Sequence, residues 1–139
     1  MRTVTSRGTA LVLLALAGAA CDATINPFPI TQPSPVPITV QFTGSLTRNG
    51  GATHQFDSTG PGTVQATLVS LAPDGDAIVG FGLGTWNGQL CSMVLAKDDA
   101  RVNTVITGSA GSAGPLCVRV WDNNLLGEET TYEITVVHP

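Results

Sequence analysis

Charge, histidine, lysine, aromatic residues and cysteine are all scarce in this chain, and each shortage removes a class of function. Only 12% of its 139 residues are charged, about half of the 25% usual for soluble domains. Lys97 is the sole lysine, so no Walker loop with its Gly-Lys-Ser or Gly-Lys-Thr ending can be assembled. The two histidines, His54 and His138, have no cysteine, histidine or carboxylate at metal-ligand spacing. The three cysteines, Cys21, Cys91 and Cys117, form no Cys-x-x-Cys motif. The serines near Gly111 lack the Gly-x-Ser-x-Gly spacing of a nucleophile elbow. Asp74 with Asp76, and Asp98 with Asp99, could offer oxygens to calcium, but a full site wants about six or more, and solvated turn aspartates are the commoner case. With no nucleophile and base, no carboxylate pair and no metal cluster to assemble, an enzyme is not expected, nor a cofactor or metal.

Long apolar runs are missing as well. The longest, Ala10–Leu16, lies between Arg2 and Arg7 on one side and small residues ending at Cys21 on the other. It is too short to span a bilayer, which takes about 20 residues, and it reads as the core of an export signal over residues 1–20. "LAGAAC" resembles a bacterial lipobox, although Gly18 stands where leucine is usual. Ordinary cleavage after Ala19 or Ala20 is the alternative. Cysteine parity favours an acylated Cys21, because Cys91 and Cys117 then form one disulfide and no thiol is left over in an oxidising compartment. That bridge would close a loop of roughly 25 residues, worth about 3 kcal/mol in the chain-entropy account. The expected location is therefore the cell envelope, with membrane attachment through an N-terminal lipid. A secreted or periplasmic soluble protein is the alternative.

Loss of residues 1–20 leaves Arg48, Lys97, Arg101 and Arg119 against ten carboxylates, a net charge of −6. Nucleic acid would be repelled by such a surface.

What the chain does have is proline, glycine and alternation. Residues 21–37 follow the signal with five prolines between Pro27 and Pro37, the composition of a semi-rigid extended spacer. From residue 38 to 139 the texture has period two. "ITVQFTGSLT" sets Ile38, Val40, Phe42, Gly44 and Leu46 on one face and polar residues on the other, the pattern of a half-buried strand. Asn49-Gly50 then gives a hairpin signal before "ATHQFDS". "TVQATLVSLA" changes phase at Val69, which predicts a bulge. Further strands are expected at 77–86, 89–95, 102–108, 116–121 and 131–138, and no segment has helical periodicity. Eight short strands with glycine and proline turns predict a single all-β antiparallel sandwich.

"VGFGLGTWNG" looks at first like a phosphate loop. Thr85 stands where a dinucleotide fingerprint needs its third glycine, and no helix follows. Read as a strand, it puts Val79, Phe81, Leu83 and Thr85 on one face and Gly80, Gly82 and Gly84 on the other. Three glycines on one face predict close approach by another segment of the chain, or else a flat binding surface. Trp86 and Trp121, near strand ends, are the candidate ligand contacts, suited to stacking on sugar rings.

Several of these strands resemble those of the bacterial pre-peptidase C-terminal domain family. Phe42-x-Gly44-x-Leu46 matches its opening strand, and His54 to Asp57 matches its polar-x-Phe-Asp strand. Gly62 to Leu68 matches its Gly-Thr-Val-x-Ala-x-Leu strand. "GPLCVRVWD" and "YEITV" stand where the family has its last two strands, with Leu116 and Cys117 in place of the usual aromatics. The resemblance implies a jelly-roll-like sandwich, commonly an accessory module of secreted enzymes. Together with the export signal, the spacer, the alternating strands and the missing catalytic clusters, it leads to the expectation of a non-enzymatic binding protein. The expected partner is a protein or a cell-envelope glycan, the latter held as by a carbohydrate-binding module using Trp86 and Trp121. Some family members bind calcium, but their ligands match no positions here.

Overall fold

The computed structural model describes residues 34–139; the export signal, Cys21 and most of the proline-rich stretch lie outside the described residues. The described part has eight strands: β1 (Ile38–Leu46), β2 (Gly51–Ser58), β3 (Gly62–Ala72), β4 (Val79–Trp86), β5 (Cys91–Ala100), β6 (Val105–Ala110), β7 (Gly114–Trp121) and β8 (Thr130–His138). They form two four-stranded antiparallel sheets, ordered β1-β8-β3-β6 and β2-β7-β4-β5. Only β4 and β5 are both consecutive and paired. Every other connection crosses from one sheet to the other, which is the jelly-roll arrangement.

Alternation decides which side of each strand is buried. In β8 the burial pattern alternates along its whole length, with Thr130, Tyr132, Ile134, Val136 and His138 inside. Val64, Ala66 and Leu68 of β3 do the same before the register slips between Leu68 and Ser70, at the predicted phase change. An extra residue there lets Leu71 return to the core, as a bulge does. Facing them across the sandwich are Val79, Phe81 and Leu83 of β4 and Val118 and Val120 of β7, all buried.

The Asn49-Gly50 signal gave a turn but not a hairpin. Gly50 N donates to Thr47 O at 2.8 Å, and Asn49 takes the left-handed conformation (φ 58°) that asparagine tolerates. However, β1 pairs with β8 and β2 with β7, so the turn carries the chain from one sheet to the other. Turn chemistry is local, whereas the choice of ladder partner is decided by which apolar faces must meet.

The sandwich has two distinct ends. The chain enters β1 at Ile38, beside the close of β8 at His138. At about 3.3 Å per residue, the 9 residues of β1 place the opposite end some 30 Å away. That far end carries the β1–β2, β3–β4, β5–β6 and β7–β8 connections.

Candidate functional site

The three glycines of β4 explain the outer face of the β2-β7-β4-β5 sheet. Gly80 is paired with Trp121 of β7, and a Cβ on Gly80 would lie inside the indole. Its nearest atom would be Cε2, a ring-fusion carbon. Such a carbon is bonded in all three in-plane directions, so it can be reached only through a face of the ring. The indole therefore lies flat over Gly80. A Cβ on Gly82 would run into the Met93 methyl group and, at 2.5 Å, the Leu95 carbonyl oxygen. One on Gly84 would come within 2.7 Å of the Ser92 carbonyl carbon. The expected close approach is thus made by the chain itself: β5 and the side chains of Met93 and Trp121 occupy the volume the glycines leave.

The disulfide belongs to the same layer. Cys91 and Cys117 are bridged, 26 residues apart in sequence, as cysteine parity anticipated. Their strands are not neighbours, since β4 runs between them. Strands two apart lie about 9–10 Å from one another in a flat sheet, yet the Cα atoms are 5.8 Å apart. The start of β5 must therefore curl over β4 at Gly84, where the β4–β5 register shifts between Leu83 and Gly84.

At the far end this face opens into a cleft of about 290 Å³ lined by Asn49, Gly50, Gly51, Met93, Arg119, Trp121 and Asp122, close to the lower limit for ligand sites. Arg119 and Trp121 are two residues apart on β7 and so share a face. Arg119 is exposed and lies across Gly51, its guanidinium 3.3 Å from where a Cβ would stand. The indole is held in place: Trp121 Nε1 donates to Asn123 Oδ1 at 2.8 Å, and Asn123 Nδ2 donates to Asp98 O at 2.7 Å.

Asp122 secures the floor of the cleft. Its Oδ2 accepts from Asn49 N at 2.7 Å, and its Oδ1 from Leu125 N and Leu126 N at 2.8 and 3.1 Å. Burial by itself would raise this carboxyl, but the backbone N–H groups of Asn49, Leu125, Leu126 and Asn124 outweigh it and hold the carboxyl below its ordinary value. One side chain thereby fastens the β7–β8 loop to the β1–β2 turn.

Trp86, the other candidate contact, is six positions along β4 from Gly80, about 20 Å away, beside Cys91. The two tryptophans share a sheet face but do not form one site. No local pattern points to Asn49, Arg119 and Asp122 around Trp121, because they converge only through the β2–β7 and β4–β7 registers.

His54 bridges the sandwich edge. Its ring stacks on Phe42 (centroids 4.7 Å, 14°) and meets Tyr132 edge-on. His54 Nε2 and the Tyr132 hydroxyl share a 2.8 Å hydrogen bond. Burial pushes the imidazole pKa down and the tyrosine pKa up. His138 is 3% exposed and packs on Phe56 with centroids 5.0 Å apart. Both histidines therefore serve packing. Asp74 Oδ1 accepts from Asp76 N at 2.9 Å in an exposed turn, and among the described residues no three metal-ligating side chains converge.

No protein-family model matches the chain, and no curated protein matches it in sequence. Among solved structures it is similar to PliG of Aeromonas hydrophila, a periplasmic lysozyme inhibitor of g-type lysozyme. The TM-score is 0.52 at 14% identity, over 72% of this chain and 86% of that one. At that identity, what the chain shares with PliG is its all-β sandwich fold.

Proposed function

We propose that this is an exported, non-enzymatic binding protein whose far end docks on a basic protein. The observation that carries the reading is the charge at that end. Asp74, Asp76, Asp98, Asp99, Glu128 and Glu129 are all exposed there, on or beside loops tied together by their own cations. Arg48 donates to Leu126 O at 3.2 Å and Gly127 O at 3.1 Å, and Arg101 donates to Asp76 O. Those cations are spent on backbone carbonyls and leave the carboxylates to face a partner. A field of one sign steers an oppositely charged protein and speeds its association. PliG, a protein of the same fold, inhibits a lysozyme, which makes protein binding a natural use of this sandwich. The disulfide supports an oxidising compartment.

The finer parts of the proposal concern attachment and family. In this reading Cys21 carries lipid and residues 22–37 form the spacer. Membership of the pre-peptidase C-terminal domain family rests on motifs that lie side by side, Gly44 being paired with Tyr132 and Phe42 with Ile134. A neutral envelope glycan is the second reading, favoured by the flat indole of Trp121.

The test uses g-type lysozyme as first probe, with other lysozymes beside it, in binding and cell-lysis assays. Binding should weaken at least about tenfold from 20 to 500 mM salt and fall when Asp98 and Asp99 are changed to lysine. No binding to any of them at low salt overturns the protein reading. Mass spectrometry of the mature N-terminus tests the tether, and an unmodified Cys21 ends it.

A further inference from the structure

We infer that the cleft beside Trp121 is a saccharide-binding site in which the indole stacks on a neutral pyranose ring while Arg119 and Asp122 bond to its hydroxyl groups. The inference rests on the second reading above, that a glycan is among the partners, and does not depend on the lysozyme result.

An indole is a useful platform for a sugar only if it is flat, fixed and open on one side. Gly80 supplies flatness, because the absent side chain lets the ring lie face-down on β4. The bond to Asn123, itself anchored on Asp98 O, supplies fixity, so little side-chain entropy remains to be lost on binding. The opposite face is turned away from the sheet, toward the cleft that Trp121 lines. The axial C–H groups of a pyranose are apolar and match such a face, while its ring of hydroxyls needs donors and acceptors at the rim.

The cleft has both. Arg119 has no carboxylate partner among the described residues and brings a five-donor fork. Asp122 Oδ2 is engaged by Asn49 N, and a carboxylate oxygen can accept a second bond. A guanidinium at the rim and a carboxylate in the floor suit a neutral polyol. An anionic ligand would face Asp122 and the acidic loops around it. The cleft's 290 Å³ and open form fit one or two sugar units at the end or surface of a chain.

The experiment screens the mature protein against neutral oligosaccharides of hexose, pentose and N-acetylhexosamine units at about 1 mM, then measures affinity for the best probe by titration calorimetry and tryptophan fluorescence. In a Trp86→Phe background the only indole left is Trp121, so the emission change on binding reports stacking directly. Affinity should be unchanged by Trp86→Phe and by salt between 50 and 500 mM. It should drop about tenfold or more in Arg119→Gln, and equally in Gly80→Ala, which retains the tryptophan but lifts it off the sheet. Circular dichroism establishes that each variant is folded; Arg119→Gln, at an exposed side chain, serves if Gly80→Ala is not. The site is refuted if no neutral oligosaccharide binds, if binding survives Arg119→Gln, or if it depends on Trp86. Lysozyme binding without glycan binding would uphold the protein reading and end this one.

Discussion

Replacing Gly84 by alanine tests the account of the glycine-lined face. The new Cβ would stand 2.7 Å from the Ser92 carbonyl carbon and 3.0 Å from Met93 Cα, roughly 1 Å inside the 3.5–4.0 Å optimum for carbon contacts. Both obstacles are backbone, and the disulfide one residue earlier fixes that backbone over β4. Relief by a rotamer change is therefore closed off. Overpacking of this kind costs about 1–3 kcal/mol, and rigid neighbours put Gly84→Ala at the top, about 3 kcal/mol. For a domain of this size that lowers Tm by about 12 °C, at roughly 4 °C per kcal/mol. Calorimetric melts would measure it against Gly111→Ala, where nothing lies within 4 Å of the new methyl group and a gain of about 0.4–1 kcal/mol is expected. Removing the bridge by Cys91→Ala with Cys117→Ala should shrink the Gly84→Ala penalty, since β5 can then move aside; a double-mutant cycle would show coupling of about 1 kcal/mol or more. Equal stability of Gly84→Ala and Gly111→Ala would refute the reasoning.

Other perturbations reach the clamp, the edge and the bridge. Asp122→Ala deprives several backbone N–H groups of a charged acceptor and should cost about 2–3 kcal/mol by urea denaturation. Because the folded-state pKa of Asp122 is depressed, its contribution is present above about pH 4 and lost as pH falls through the lower folded value; Asp122→Asn should flatten that acid limb. His54 also has a lowered pKa, so its neutral form is favoured by folding. Stability should be full above about pH 6.5 and decline as pH drops toward the folded value, and NMR titration should find His54 below 6.5 while His54→Gln lacks the decline. Reduction of Cys91–Cys117 should cost about 3 kcal/mol, and thiol titration of the oxidised mature domain should find neither cysteine free.

Side-chain alternation made the fold legible. Ile38 to Leu46 and Thr130 to His138 declare their inner faces residue by residue, and the phase change at Val69 marked the bulge. β5 was harder to bound: its second half, Ala96-Lys97-Asp98-Asp99, is exposed on both faces and so shows no apolar alternation. The expected strand at 102–108 began too early because Arg101 to Thr104 form a turn, closed by Thr104 N on Arg101 O, with Asn103 left-handed (φ 70°). The candidate site was half legible. Three glycines on one face of β4 predict either close approach by the chain or a flat binding surface, and Trp86 and Trp121 are both candidate contacts. Which ring lies on which glycine, however, is fixed by the β4–β7 register. Arg119 and Asp122 come to the same cleft through β2 and the β7–β8 loop, contacts that no local pattern encodes.

The curl of β5 also bears on self-association. A strand of 10 residues with one free side is a docking template for its own kind, and Val94, at 70% exposure, adds a sticky margin. Bent across β4 by its cystine and bearing Lys97, Asp98 and Asp99, that margin is too warped and too charged for a second copy to zip along it. The bond that stabilises the domain thus also helps keep this edge from pairing, and a reducing environment would leave that task to the charges alone.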